Sequence, residues 1–554
     1  MPQPPPSSSA LRFLLPSVRD LIFIVLFWSL LAGPLSNRPL ADADIGWHIR
    51  TGERILATHS LPRTDLFSST MQGQHWFAWE WLYDILLGLL HRACGLNGVA
   101  WLCAVLVAGT FALLLSQLLR RGTSLLLAVV LMLLAEAVAA IHLYARPHII
   151  SWLFSLLWFV ALERWERMDQ RESWNRRTLP RWLPCFFPAS MLLWVNLHGG
   201  WLFGLALLAI YTLAAFVESW RAQDRDPFAA IRSAHRARAM AVAWLASALA
   251  TLVNPYGWRL HAHIAHYLGD RYLMDHIDEF HSPNFHDWPE RCFAVILILL
   301  LIALWISAKK LPLSHLLVVL LTVYAAFYSS RNLPISAMLL VLLAGPILSE
   351  NFASLANKPS AWPWLQNISS WFADFSERMG AQEIELRGHL WPVVSGACAF
   401  AICLQGGWLS SRRLINVHFD PKKVPEAAVT FLQKENVYEP PIPAPVFSTD
   451  SWGGYLIYRM NSGQINPKWM SPERVAPDRQ VVVDDRHDLY GSDRIRQFLI
   501  LTQAEPGWQN VLEKWQIRRA LLPADSTLAN LLRELPKDWR VAYEDKIAVV
   551  FERR

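Results

Sequence analysis

The sequence predicts a mainly α protein: a polytopic transmembrane helical bundle over residues 1–410, followed by a small α/β domain over 411–554. Three observations carry this. Apolar residues fill 53% of the 554 positions and charged residues only 17%, a balance that suits lipid better than water. Runs such as 21–34, 99–119 and 293–307 hold no charge, and about 20 apolar residues span a bilayer core. From 411 onward the period changes. Short β-rich runs at 445–447, 481–483, 520–522 and 547–551 alternate with helical stretches near 424–436, 492–504 and 525–535.

Window length gives about eleven spans: 18–37, 97–119, 123–142, 147–163, 182–197, 200–219, 239–255, 291–308, 312–329, 333–348 and 389–410. The first has no small-residue cleavage site and reads as an uncleaved anchor. Arginines crowd alternate loops: Arg164, Arg167, Arg171, Arg176, Arg177 and Arg181, then Arg221, Arg225, Arg232, Arg236 and Arg238. Arg120, Arg121, Lys309 and Lys310 mark two further turns on the same side. The positive-inside rule makes that side, with the N-terminus, cytoplasmic, and an odd number of spans leaves the C-terminal domain outside. For a bacterial chain this means the inner membrane.

Two external loops are long. The first, 38–96, carries an amphipathic stretch (Trp47, Ile49, Ile55, Leu56) and an aromatic run from Trp76 to Tyr83, a pattern expected of helices lying in the membrane interface. The second, 256–290, is rich in His and Asp, and the cytoplasmic loop 351–388 holds Trp-rich helices. The net charge of +6 is ordinary for a membrane protein, because its basic residues concentrate in particular loops; membrane lipids are expected partners and nucleic acid is not. Six scattered cysteines form no CxxC pair and no disulfide framework. His261, His263 and His266 do not have zinc-site spacing.

The residues able to carry chemistry cluster on the external side. Asp42 and Asp44 leave the membrane right after the first span. An Asp-x-Asp pair arises by chance about once in a chain of this size; its position and the Trp47-His48 that follow give it weight. On a turn the two carboxylates can converge on one cation or hydroxyl. Asp44 could instead cap the helix predicted near 46–58, which would explain one aspartate but not both. Glu80 lies in an aromatic run, where poor hydration raises a carboxyl's pKa, and His75 is five residues away. Arg146 and His148 flank Pro147 at a helix N-terminus, a natural place for a phosphate, and Arg331 adds a second cation at that depth. His48 and His198 are further polar candidates beside them. Glu136 is the one acid deep in an apolar segment. Asp484, Asp485, Arg486, His487 and Asp488 crowd one strand end and read best as a solvated turn.

The acidic pair after the first span, the long first loop and the external domain together resemble the GT-C class of integral-membrane glycosyltransferases. Within that class the chain is similar to bacterial protein mannosyltransferases and lipid A aminoarabinose transferases. The phrases that carry the resemblance are 42–52, 61–68, 79–82, 145–148, 194–200 and 254–258, with Trp452-Gly453-Gly454-Tyr455 and 484–491 in the C-terminal domain. The resemblance implies an inverting transfer of a sugar from a polyprenyl-phosphate carrier to an acceptor outside the membrane. It implies a catalytic role for Asp42 or Asp44, and Glu80 is expected from its surroundings to act beside them. By their position, Arg146, His148 and Arg331 are expected to bind the donor phosphate and His48, His75 and His198 the substrate. Members differ in whether the acidic pair holds a divalent metal (Mg or Mn) or acts directly, and the sequence leaves both readings open, as it does the identity of sugar and acceptor. The competing class is a non-catalytic transporter or scaffold for envelope polysaccharide or lipid. A transporter would show an internal repeat, and none is visible.

Overall fold

The computed structural model describes residues 14–169, 182–223, 226–355, 362–386, 389–438, 444–461 and 479–554. Arg171, Arg176, Arg177, Arg181 and Arg225 lie outside them. Each expected span is a helix: Val18–Leu31, Leu96–Arg120, Leu125–Ala139, His148–Asp169, Trp182–Leu197, Trp201–Ala222, Pro227–Ala250, Trp288–Ile306, Leu313–Tyr328, Leu333–Ser354 and Leu390–Leu404. Five of the segments are long and apolar enough to cross a bilayer, and three of the others are shorter apolar helices. The chain is a multi-pass membrane protein.

Local chemistry sets the helix starts. Ser17 and Asp20 form a reciprocal capping box on the first helix. Pro227, Pro289 and Pro334 sit in first turns, where a missing N–H costs nothing. The Glu383 carboxylate, on the helix Pro363–Glu385, accepts from the Val18 N–H at 2.7 Å and from Arg19 Nε at 2.6 Å. It thereby ties that helix to the N-terminus of the first, where the dipole favours an anion.

The first loop differs from the interfacial helices expected of it. The helix Ile45–Thr58 is buried on every face from Ile45 to Ile55. It is clasped between the helix Trp81–Cys94 and the helix Asp450–Met460 of the C-terminal region. Glycines permit this approach: a Cβ on Gly46 would strike the Gly454 carbonyl, and one on Gly52 the Asp84 carbonyl. An amphipathic pattern marks a face that avoids water, and here protein covers it in place of lipid.

The C-terminal region holds a four-stranded sheet in the order β3-β4-β6-β5, with β3 Val446–Ser448, β4 Arg519–Pro523, β5 Trp539–Glu544 and β6 Ala548–Arg553. A small hairpin, β1 Trp408–Leu409 and β2 Arg412–Arg413, precedes it. β3 and β4 pair in parallel with Phe447 opposite Ala520, and the remaining pairs are antiparallel. Helices near 424–436, 492–504 and 525–535 occur as expected, at Glu426–Tyr438, His487–Thr502 and Thr527–Arg533. The run 481–483 forms isolated bridges, Val481 pairing with both Val446 and Ser68. The first loop thus adds its backbone to the edge of the C-terminal sheet. β5 was not expected, because this edge strand buries little and its alternation is weak.

Candidate active site

The first loop meets the segment 484–488 at a small polar cavity of about 70 Å³, bordered by Asp44, Glu80, Arg146, His148, His198, Arg331, Asp485 and His487. At the turn before the buried helix, the Asp44 N–H donates to Asp42 Oδ1 at 2.9 Å. The Asp44 side chain caps nothing, so the capping role is not the one it plays. Arg146 gathers the acids: its Nη1 donates to Asp42 Oδ2 and Glu279 Oε1, both at 2.8 Å, and its Nη2 lies 3.5 Å from Asp44 Oδ2. The Ala145 N–H donates to the Pro39 carbonyl at 2.9 Å, and the Ala145 carbonyl accepts from the Tyr83 hydroxyl at 3.0 Å. Those two bonds fix the backbone that aims Arg146. Burial, then the neighbouring Asp485 and Asp42 charges, push the Asp44 carboxyl well above its ordinary range, against the pull of Arg146.

Glu80 lies deeper. Its two oxygens face His48 Nε2 at 3.8 Å and His198 Nε2 at 3.7 Å, gaps that a ligand oxygen or a water would fill. Burial raises its carboxyl to about 7, although Arg331 and Arg146 draw it down. His48 is oriented from behind by Asp84, 2.6 Å from its Nδ1. Both ring nitrogens of His198 face donors: the Gly200 N–H and the Ser151 hydroxyl lie 3.1 and 2.7 Å from Nδ1, and Arg331 Nη2 lies 3.3 Å from Nε2. Burial and then Arg331 hold this imidazole well below its ordinary pKa, keeping it neutral. Arg331, in the turn Ser330–Asn332, lies 3.5 Å from Glu279 and over the Phe280 ring. His148 is turned to the His142 carbonyl at 2.7 Å, its ring forming wall.

The segment 484–488 is no solvated turn. Arg486 makes a bidentate pair with Asp484 at 2.8 and 2.7 Å, reaches Asp65 at 2.9 Å and lies over the Trp76 ring. Beside that anchor, Asp485 and His487 border the cavity, and Asp485 meets Asp42 and Asp44. Asp42, Asp44 and Asp485 can each present an oxygen within 4.8 Å of the others, and Asp450, Asp485 and His487 form an adjoining group. Both have donors suited to a hard divalent cation. His75 is the candidate not brought in: it is exposed, stacked on Phe77 and outside the cavity. His75 and Glu80 are close in sequence, but the backbone between them is largely extended, which turns His75 out and Trp76 in. The sequence did not single out Asp84, Glu279 or Asp450. Their only signal was placement in predicted external segments, where acids are common.

A second, apolar cavity of about 450 Å³ shares the wall made by Trp79, Glu80, His148, His198, Tyr267 and Arg331. It runs between helices along Leu202, Phe203, Ala206, Ile264, Leu268 and Ile335. At the other end of the helix His148–Asp169, about 22 Å away at 1.5 Å per residue, Glu163 accepts from Tyr211 at 2.6 Å and pairs with His315 at 2.7 Å and Arg121 at 3.1 Å. Glu136 borders neither cavity.

No protein-family model matches the chain, and no curated protein matches it. Among solved structures it superposes on the oligosaccharyltransferase AglB of Archaeoglobus fulgidus in complex with an inhibitory peptide and a dolichol-phosphate. The TM-score is 0.52 at 11% identity, over 92% of this chain and 69% of that one. The apo form of the A. fulgidus enzyme gives 0.51 at 12% identity, over 94% and 70%. ArnT from Cupriavidus metallidurans bound to undecaprenyl phosphate gives 0.44 at 14% identity, over 98% of both chains. The chain has the fold of the GT-C membrane glycosyltransferases.

Proposed function

We propose that the chain is a glycosyltransferase that moves a sugar, with inversion, from a polyprenyl-phosphate carrier to an acceptor on the extracytoplasmic face. The observation that carries this reading is the shared wall between a polar cavity and an apolar groove. A lipid phosphate has the same two parts, a charged head and a long hydrocarbon tail. In this reading the tail lies along Leu202, Phe203 and Ile335, and the phosphate meets Arg331 beside His198. The dolichol-phosphate in the superposable AglB supports a ligand of that chemistry.

In the reaction, the acceptor oxygen bonds to the anomeric carbon as the bond from that carbon to the phosphate oxygen breaks. The hydroxyl proton passes to the Asp42–Asp44 pair; a divalent cation held by these carboxylates would supply Lewis acidity that lowers the hydroxyl's pKa. Arg331, with Arg146 behind it, takes up the charge that develops on the leaving phosphate. Glu80 is largely protonated below its pKa of about 7, and so can donate a hydrogen bond to phosphate or sugar oxygen. Residues 411–554 contribute to the cavity and are assigned the task of guiding the acceptor.

The test is transfer from a labelled polyprenyl-phosphate sugar by the purified full chain and by Asp42→Asn, Asp44→Asn and Glu80→Gln separately. Each is expected to lose most of its activity. Full activity in all three variants, as a transporter or scaffold would predict, would refute the proposal.

A further inference from the structure

Asp485 stands almost at the opposite end of the sequence from Asp42 and Asp44, yet the three carboxylates converge within 4.8 Å. Charge bookkeeping around them is uneven. Among the described residues, the cations paired with Asp42, Asp44, Asp485, Asp450 and Glu279 are Arg146, Arg331 and a His487 pinned between two acids, leaving two negative charges in a half-buried site. Such an imbalance is costly unless protons or a cation offset it. A second observation points to the cation. Asp44 is 2% exposed and borders the cavity with Asp485, and its Oδ1 has no hydrogen-bond partner. A buried oxygen without a partner is rare and calls for a ligand. The all-oxygen donor set suits Mg²⁺ or Mn²⁺.

We propose that Asp485 is the third protein ligand of a divalent-cation site completed with Asp42 and Asp44, with His487 and Asp450 as positioning residues. The inference rests on the reading of Asp42 and Asp44 as the reaction centre and adds to it a ligand from the far end of the chain. His487 Nε2 lies 3.1 Å from Asp485 and 3.2 Å from Asp450, so the imidazole links the two carboxylates and fixes Asp485. Neither Asp485 nor its supports belong to the transmembrane bundle, so the cation would bind only when the C-terminal region is docked.

The test titrates Mn²⁺ into the purified full chain in detergent and reads free Mn²⁺ by its EPR signal. One ion per chain is expected. Asp450→Asn should weaken binding roughly 10-fold or more, as loss of an outer-shell partner does, and Asp485→Asn at least as much. Wild-type affinity in Asp485→Asn, or no binding by the wild-type chain, overturns the proposal. A second measurement needs no variant. Fe²⁺ with ascorbate should cut the wild-type backbone both beside 42–44 and beside 485, and cleavage at only one of these places, or at neither, overturns it too. Transfer is assayed apart from both readouts. A chain that binds Mn²⁺ as described but moves no sugar sinks the proposed function and leaves the cation site standing.

Discussion

Replacing Arg331 by glutamine separates phosphate binding from folding. The guanidinium is about one-third exposed, and its contacts with Glu279 at 3.5 Å and His198 at 3.3 Å are both long, so its loss costs under about 1 kcal/mol of stability. A charge-assisted hydrogen bond to a lipid phosphate is worth about 1.5–3 kcal/mol. Removing it should weaken binding roughly 10- to 100-fold. The assay is equilibrium binding of a radiolabelled polyprenyl phosphate to purified wild-type and Arg331→Gln chains, with the melting temperature followed in parallel. The expected result is a raised Kd with a melting temperature close to wild type. An unchanged Kd would refute the placement of the phosphate at Arg331. A collapse of the melting temperature would refute the argument that this arginine is structurally dispensable.

Other perturbations give different signatures. Arg146→Gln leaves Asp42, Asp44 and Glu279 without their shared cation and should cost about 3–5 kcal/mol, read as a large fall in melting temperature that Glu279→Gln partly restores. Glu80 has a folded pKa of about 7, raised by burial above its ordinary 4.5. The folded state therefore holds its proton longer than the unfolded state, and stability falls as pH rises from 4.5 to 7, by about 3 kcal/mol from this group. Melting curves across that range should show the slope reduced in Glu80→Gln. Gly52→Ala forces a Cβ into the Asp84 carbonyl and should destabilise by about 1–3 kcal/mol, seen as a lower melting temperature and protease sensitivity in the first loop.

The spans were legible because a bilayer imposes its length on any sequence that crosses it, and each predicted segment is a helix. Arg146, His198 and Arg331 were also legible, since helix ends and hairpin turns are local features. What was hidden depends on contacts between distant parts of the chain. Nothing local tells that Arg486 will find Asp65 and an aromatic wall, so the charged run 484–488 looked solvated. The amphipathic helix Ile45–Thr58 had the same ambiguity: its apolar face is plain in the sequence, but whether lipid or protein covers it is not. Asp44 sits at a helix start, where a cap could have explained it alone, but its side chain caps nothing and meets Arg146 and Asp485.

The pairing of Val481 with Ser68 has a consequence for the order of synthesis. A ribosome delivers Asp42 and Asp44 among its first products and Asp485 among its last, and no partial chain holds the complete cavity. A nascent chain already threaded into the bilayer thus lacks the complete cavity until its final segment has docked. By the same dependence, a chain ending before 484 could keep every membrane helix and still lack one wall of its cavity.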